Sequence, residues 1–366
     1  MKKPSVLITS VGSRAAEGVL ASLAPVRHRV RVIATNSVAE APGLYDADVA
    51  YLVPPTAQQA PFAQRMADII AREEPDLLVN GRDEEVPVLA DLAARDVSGR
   101  HVFLGPPPEL APIFNDKYQT AAFAERHGLP FVASACTEPE VRQLIADSGY
   151  PVVAKPRSGG HASRNVYVLT SPQQVDTALR HGGFVFQPFV GEGRLGDAFT
   201  AWDTAMGIPW MWNPPNTYHM LDVVLGRDAQ VVSICVSKAE RAGSVVKRLH
   251  LLEDPGLHAL AVRHAQVLGA AGHRGPVNIQ GVVLPGGAFV AFEWNARFVG
   301  SSPGYALLGQ NHVLAALRHF LPALADQPEP TRGPTTVFRP LVFRGVCDDA
   351  IEHLRQNGRW HPGEGE

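Results

Sequence analysis

Hydrophobic positions in the first hundred residues follow two alternating rhythms. Short apolar runs, "SVLITSVG", "RVRVIATN", "YLVPP", "DLLVNG" and "VFLG", are separated by stretches such as "AAEGVLASLA" and "PFAQRMADIIAREE", where apolar residues recur every three to four positions. Strands alternating with helices predict a parallel sheet with crossover helices, so residues 1–110 read as a Rossmann-like α/β domain. The proline cluster "GPPPELAPI", from Gly105 to Ile113, can continue neither a helix nor a central strand and marks the boundary.

The pattern then changes. "NDKYQTAAFAERHGLP" predicts a helix capped by Asn115 or Asp116 and stopped by Gly128 and Pro130, and a second helix follows near Glu138 to Asp147. Two short strands, "PVVAKP" and "NVYVLT", flank the loop "RSGGHAS", and "FVFQPFVGEG" reads as a buried strand running into a turn. From residue 217 strands dominate: "YHMLDVVLG", "AQVVSICVSK", "GPVNIQGVVL" and "AFVAFEWNAR", with a helix near 255–270 and another at "NHVLAALRHFLPAL". The class is α/β shading into α+β, with a sheet-built centre.

Within "FVAFEWNARFVGSSPG", Glu293, Asn295 and Arg297 fall at every second position, which on a strand puts them on one face. A two-residue Gly286-Gly287 turn before this strand sets Gln280 opposite Glu293 and Asn278 opposite Asn295. One carboxylate with amide oxygens, completed by water and phosphate oxygens, is a donor set that suits magnesium. Arg297, one step further, would lie near those phosphates, where a planar guanidinium stabilises charge developing during transfer. The other reading is a half-exposed antiparallel sheet with ordinary polar positions facing water.

"VVAKPRSGGHASRN" places Lys155 on a strand before a loop containing Ser158, Gly159 and Gly160, whose backbone amides can turn toward an anion. The loop leads into a strand and has neither Walker A nor dinucleotide spacing. The early "VGSRAAEG" also lacks the dinucleotide glycines and reads as a plain strand-to-helix connection.

Charge narrows the classes. The 366-residue chain has 45% hydrophobic and 19% charged residues with a formal net charge of −3, which lacks the basic excess nucleic-acid binding requires. Cys136, Cys235 and Cys347 are too far apart for a disulfide framework or a CxxC metal site. "MKKPSVLITSVG" is too short for a signal core or a membrane span, so a cytoplasmic protein acting on small molecules, without membrane or nucleic acid, is expected. The fourteen histidines show no HExxH spacing.

The order of these motifs resembles the ATP-grasp superfamily, in particular relatives of the carbamoyl phosphate synthetase large subunit, and more loosely biotin carboxylase and D-alanine:D-alanine ligase. The resemblance implies a pre-ATP-grasp domain at 1–110, a small lobe at 111–187 and a large lobe at 188–330 with an insertion at 194–216. Residues 331–366 form a C-terminal tail. It implies ATP clamped between the lobes: Lys117 and Lys155 reaching its phosphates, Ser158, Gly159 and Gly160 folding over them, and Gln187, Pro188, Phe189 and Val190 forming the adenine hinge. Gln280, Glu293 and Asn295 match the ligands of Mg2+, with Mn2+ as a substitute, and Arg297 the arginine near the transferred phosphate. Lys238 and Arg241 match a basic element facing the γ-phosphate or acyl group.

Glutamate is the commoner residue at the position of Gln187, and the ribose-binding acid stays open among Glu192, Asp197 and Asp222. The insertion, with Trp202, Trp210 and Trp212, reads either as a packed hairpin or as a lid over the acceptor. Ser301 and Ser302 in "GSSPG" are candidates for holding the substrate carboxylate. The activity implied is ATP-dependent joining of a small carboxylate to an amine through an acyl phosphate, by a protein for which a homodimer is admissible. Carboxylation, carbamate phosphorylation, a nicotinamide-dependent oxidoreductase and a non-catalytic nucleotide-binding module are the rival readings.

Overall fold

The computed structural model describes residues 2–96, 98–159, 165–190, 216–242, 245–328, 331, 333–339 and 345–363. The first sheet holds β1 (Ser5–Ile8), β2 (Arg31–Asn36), β3 (Val49–Leu52), β4 (Leu77–Val79) and β5 (Val102–Phe103), all parallel, in the order β3-β2-β1-β4-β5. Strands of β-branched and leucine residues buried on both faces, with helices covering them, produce this Rossmann-like arrangement, as the alternating pattern predicts.

A three-stranded antiparallel sheet follows, β6 (Val152–Pro156) between β7 (Tyr167–Leu169) and β8 (Phe184–Pro188). Its helices are Glu138–Ser148 and Pro172–His181; the second, in "SPQQVDTALRH", was not anticipated. The helix Lys117–Arg126 is capped by Asp116, whose carboxylate accepts the Tyr118 and Gln119 amides at 3.0 and 3.3 Å. That resolves the choice between Asn115 and Asp116.

The largest sheet is antiparallel: β9 (Asn216–Leu225), β10 (Val231–Ala242), β11 (Val245–Leu251), β12 (Gly275–Val283), β13 (Phe289–Asn295) and β14 (Thr336–Phe338), ordered β13-β12-β9-β10-β11-β14. Strand β11 also went unread, because "VVKRLHL" mixes its charges with its apolar positions. Leu257, Ala261, Ala265 and Leu268 of the helix Pro255–Ala270 share a core with Leu221, Val223 and Val236 of β9 and β10. Side chains alternate across a strand, so the neighbouring positions of β9 and β10 face the other way.

Residues from the C-terminal tail return to the first sheet. The helix Asp348–Asn357 leads into β15 (Arg359–Trp360), which pairs antiparallel with the edge of β3, Trp360 opposite Ala50. Trp360 is buried there, edge-on to Tyr45 at 5.1 Å, so the strand edge is covered.

Two departures in the hairpin cancel. The turn is one residue longer than expected: Leu284 N donates to Ala288 O at 2.8 Å across Pro285-Gly286-Gly287, with Gly287 at φ +83°. The register then shifts between Gln280 and Gly281, where Gly281 pairs with Ala291 and Phe292 is the extra residue of a bulge. Beyond the bulge Gln280 is opposite Glu293 and Asn278 opposite Asn295, the pairing the shorter turn predicted. Without the bulge the longer turn would have turned Glu293 to the opposite face.

Candidate functional site

The face of the large sheet away from the helix Pro255–Ala270 carries two rows of aligned side chains. Asp222, Asn278 and Asn295 are cross-strand neighbours, as are Met220, Gln280 and Glu293. The buried carboxylate of Asp222 accepts the Tyr305 hydroxyl at 2.6 Å and Asn278 Nδ2 at 3.0 Å. Asn278 Oδ1 in turn accepts Gln280 Nε2 at 2.8 Å and Asn295 Nδ2 at 3.3 Å, which fixes the orientation of all three amides. Asn295 Oδ1 accepts Arg297 Nη2 at 3.1 Å, and Arg297 Nε donates to Asp83 at 3.0 Å.

Burial raises the Asp222 carboxyl to about 7, against the downward pull of the Tyr305 and Asn278 hydrogen bonds. Burial likewise pushes the Asp83 carboxyl up; Arg297 opposes this and the nearby Glu293 charge reinforces it.

Lys155 approaches this face from β6. Its Nζ lies 4.8 Å from the centroid of the Phe292 ring, so the bulge residue forms the surface under the lysine. Burial lowers the Lys155 ammonium to about 8, with Glu293 pulling it up and Lys117 pushing it further down. Both charges therefore act on Lys155. Lys117 Nζ donates to Gly159 O at 3.2 Å, which ties the start of its helix to the glycine-rich loop, while Ser158 is exposed. Gly160 and the rest of that loop to 164 lie outside the described residues.

A cavity of ≈ 440 Å³ opens onto these groups. Its walls include Lys117, Gly159, Gln280, Glu293, Asn295 and Arg297, so two of the expected phosphate residues share one space with the three expected metal residues; Lys155 and Ser158 are not among the lining residues. The first domain also contributes, through Gly12 to Ala15 after β1 and Gly81 to Glu84 after β4. Strands β1 and β4 are neighbours at the position where the order of the parallel sheet reverses, and the crevice outside the carboxyl ends of strands at such a point is where α/β sheets bind ligands. Glu85 fastens the two loops together: it accepts the Thr9 and Ser10 hydroxyls at 2.6 and 2.7 Å and the amides of Gly81 and Arg82 at 3.2 and 3.1 Å.

Several expectations need correction. Lys238 and Arg241 are not companions. Arg241 lines the cavity with its guanidinium 5.4 Å from the Tyr218 ring centroid, but Lys238 is an odd number of residues away on β10 and pairs with His219 and His250 on the other face. Ser301 lines the cavity, whereas the Ser302 hydroxyl turns back to Val299 O at 2.8 Å. Asp222, one of the three acids left open for the ribose, is buried and its carboxylate accepts the Tyr305 hydroxyl and the Asn278 amide. Glu192, Asp197 and the insertion at 194–216, including Trp202, Trp210 and Trp212, lie outside the described residues apart from the first residue of β9.

At the hinge, Gln187 is buried and donates to Ser134 Oγ at 3.0 Å, and the Phe189 amide donates to Pro151 O at 3.2 Å. Pro188 and Val190 are half-buried.

Sequence reasoning passed over Asp83, Glu84, Arg14, Tyr218 and Arg339, all of which line the cavity. For Arg14, Asp83 and Glu84 a signal existed: "VGSR" and "NGRDEE" follow short buried strands and sit at their carboxyl ends. No group of three or more His, Cys, Asp or Glu side chains able to hold a metal exists among the described residues. A cation at this site would rest on Glu293 with the Gln280 and Asn295 oxygens, a hard oxygen set with one negative charge, which fits magnesium carrying phosphate and water better than zinc or an all-protein calcium cage. No helix among the described residues is long and apolar enough to cross a membrane.

Residues 6–99 match the family described as the PylC-like N-terminal domain. Among curated proteins, none matches the sequence. The fold is similar to that of an N5-carboxyaminoimidazole synthetase from Staphylococcus aureus complexed with ADP, with a TM-score of 0.64 at 10% identity, covering 89% of this chain and 78% of that one. It is similar to N5-carboxyaminoimidazole ribonucleotide synthetase from Thermus thermophilus, at a TM-score of 0.61 and 17% identity over 90% of this chain and 81% of that one. A biotin carboxylase from Campylobacter jejuni, in a β-γ-ATP complex, gives a TM-score of 0.61 at 15% identity over 88% and 71% of the two chains. The chain has the ATP-grasp fold, preceded by a Rossmann-like domain similar to that of the PylC-like proteins.

Proposed function

We propose that this protein is an ATP-dependent ligase that joins a small carboxylate to an amine through an acyl phosphate. The observation that carries the reading is the meeting of Gln280, Glu293 and Asn295 with Lys117 and Arg297 around one cavity, while the Lys155 ammonium, over the Phe292 ring, feels the charges of Glu293 and Lys117. In this reading Gln280, Glu293 and Asn295 hold Mg2+, and Mg2+ supplies neutralisation of the phosphate oxygens. Lys117 and Lys155 bind the polyphosphate, and the backbone from Gly159 onward covers it. Pro188 and Val190 contact adenine through the main chain. Arg297, oriented by Asp83 and Asn295, lies beside the phosphoryl group in transfer, with Arg241 and Ser301 nearer the acid.

The carboxylate oxygen attacks the γ-phosphorus and the bond to ADP breaks. The amine then attacks the acyl carbon, inorganic phosphate leaves, and the nitrogen loses a proton to give the amide. Such transfer depends on in-line positioning and charge stabilisation more than on a protein nucleophile.

The likeness to carboxyaminoimidazole synthetases and a biotin carboxylase favours a second reading, in which bicarbonate is the acid that is phosphorylated. One screen separates the two: ADP release with MgATP across amino acids and small carboxylates, paired with amines, and with bicarbonate alone, with product masses recorded. ADP release that requires an organic carboxylate supports the ligase. Bicarbonate-dependent release giving a carboxylated product supports the second reading, and no stimulation by any acid rejects both.

A further inference from the structure

Three arginines from separate segments line the same cavity around Tyr218. Arg14 is the first residue of the helix Arg14–Ser22 in the N-terminal domain, Arg241 is near the end of β10, and Arg339 follows β14. Gly300 joins two of them. Its carbonyl accepts Arg339 Nη2, and its Cα is packed so close to the first domain that an added Cβ would lie 2.9 Å from Arg14 Cβ. The contact continues along the helix, since a Cβ on Gly18 would lie 2.7 Å from Val299 O. The first domain is thus pressed onto the "VGSSPG" turn, and this packing brings Arg14 into the cavity.

These cations act on each other. Burial lowers the Arg14 guanidinium, and the charges of Arg241 and Arg297 lower it further. Arg339 is lowered by burial and then by Arg14. Burial holds the Tyr218 phenol up at about 12, so its hydroxyl keeps its proton and remains a donor at neutral pH. Guanidinium groups and a phenol donor that face one partly desolvated space present a field and a set of donors that suit an anion. Arginine, which is always charged and presents planar pairs of donors, is suited to carboxylate and phosphate oxygens.

We propose that Arg14, Arg339 and the Tyr218 hydroxyl, with Arg241 stacked on that ring, form an anion subsite for a second acidic group of the substrate, apart from the carboxylate that is activated. The substrate class is then a small dianion: a dicarboxylic acid or a phosphorylated carboxylic acid. This rests on the ligase reading, because it assumes that the cavity takes the acid substrate. The subsite also gives the first domain a direct part in specificity.

The test is direct binding to the full-length protein by calorimetry, without nucleotide, using butyrate, the dicarboxylates from succinate to adipate, and 3-phosphoglycerate. At least one dianion should bind tenfold or more tightly than butyrate. Preference for a dicarboxylate identifies a carboxylate as the second group, and preference for 3-phosphoglycerate identifies a phosphate. In Arg339→Gln and Arg14→Gln the preference should fall by roughly 10- to 100-fold, the value of a charge-assisted contact. Equal binding of butyrate and all dianions, no binding of any dianion, or full preference in both variants overturns the proposal. If Arg339→Gln fails to fold by circular dichroism, Arg14→Gln and the wild-type preference decide. MgADP binding, titrated in parallel on the wild type, tests the ligase reading separately: its absence rejects that reading whatever the dianions do.

Discussion

Arg297 and Asp83 stand 214 positions apart and belong to different domains, yet Arg297 Nε meets the Asp83 carboxylate at 3.0 Å. The pair is partly screened, with side-chain exposures of 21% and 26%, so its importance is in orientation more than in stability. Arg297→Ala is expected to lower ADP release by roughly 100- to 1000-fold, as loss of a donor to developing charge does. Asp83→Asn should keep the guanidinium but loosen its aim, with a loss of about tenfold in kcat and little change in melting temperature. Steady-state kinetics of the two variants side by side check this.

Glu293 carries the one full negative charge among the three residues assigned to the cation. Glu293→Gln is expected to abolish substrate-stimulated ADP release at millimolar magnesium while preserving the circular dichroism spectrum. Turnover like the wild type's at low magnesium would count heavily against a metal at this position.

The Lys155 ammonium, held at about 8 mainly by burial, is partly neutral at mildly alkaline pH. A polyphosphate favours its charged form, so nucleotide binding near pH 8.5 should take up a proton and weaken as pH rises further. Calorimetry of MgADP binding in two buffers of different ionisation enthalpy measures that uptake; Lys155→Met should remove most of it and lower affinity.

Asp222 has the opposite sense. Its folded value of about 7 is above the ordinary value of about 4, so between those limits the folded state binds the proton more tightly than the unfolded chain. Stability from this group is therefore fullest below pH 4, declines by roughly 2–4 kcal/mol as pH rises to 7, and is level above. Asp222→Asn should flatten that part of the melting-temperature profile. Because Asp222 also orients Asn278, the variant should need more magnesium for half-maximal activity.

The hairpin bulge gives a structural test. A Cβ on Gly281 would lie 2.4 Å from both the Phe289 ring and Val290 O, on the strand opposite the extra residue. Gly281→Val is expected to cost about 1–3 kcal/mol by overpacking and to weaken magnesium dependence and Lys155 chemistry together. Urea unfolding and a magnesium titration check both.

The sequence by itself determined much of this protein. Alternating strand and helix patterns specified the parallel first sheet, because that rhythm is local. The spacing of Glu293, Asn295 and Arg297 placed them on one side of a strand, because a strand's side chains alternate whatever it pairs with. The register of Gln280 with Glu293 was also legible, although by a shorter turn and without the bulge; turn length and bulge compensate, and periodicity sees only their sum.

Tertiary structure decided the rest. Lys238 and Arg241 look equivalent in "VSKAERAG", and only the pairing of β10 with its neighbours shows which of them faces the cavity. Arg339 carries no local pattern, and the carboxyl-end positions of Arg14 and Asp83 do not say what they meet, because what brings them to the site is the seating of the first domain against Gly300 and Arg297, a contact between segments hundreds of residues apart. Local periodicity records how each element faces its own core. Which two surfaces then close around a common space depends on packing across the whole chain.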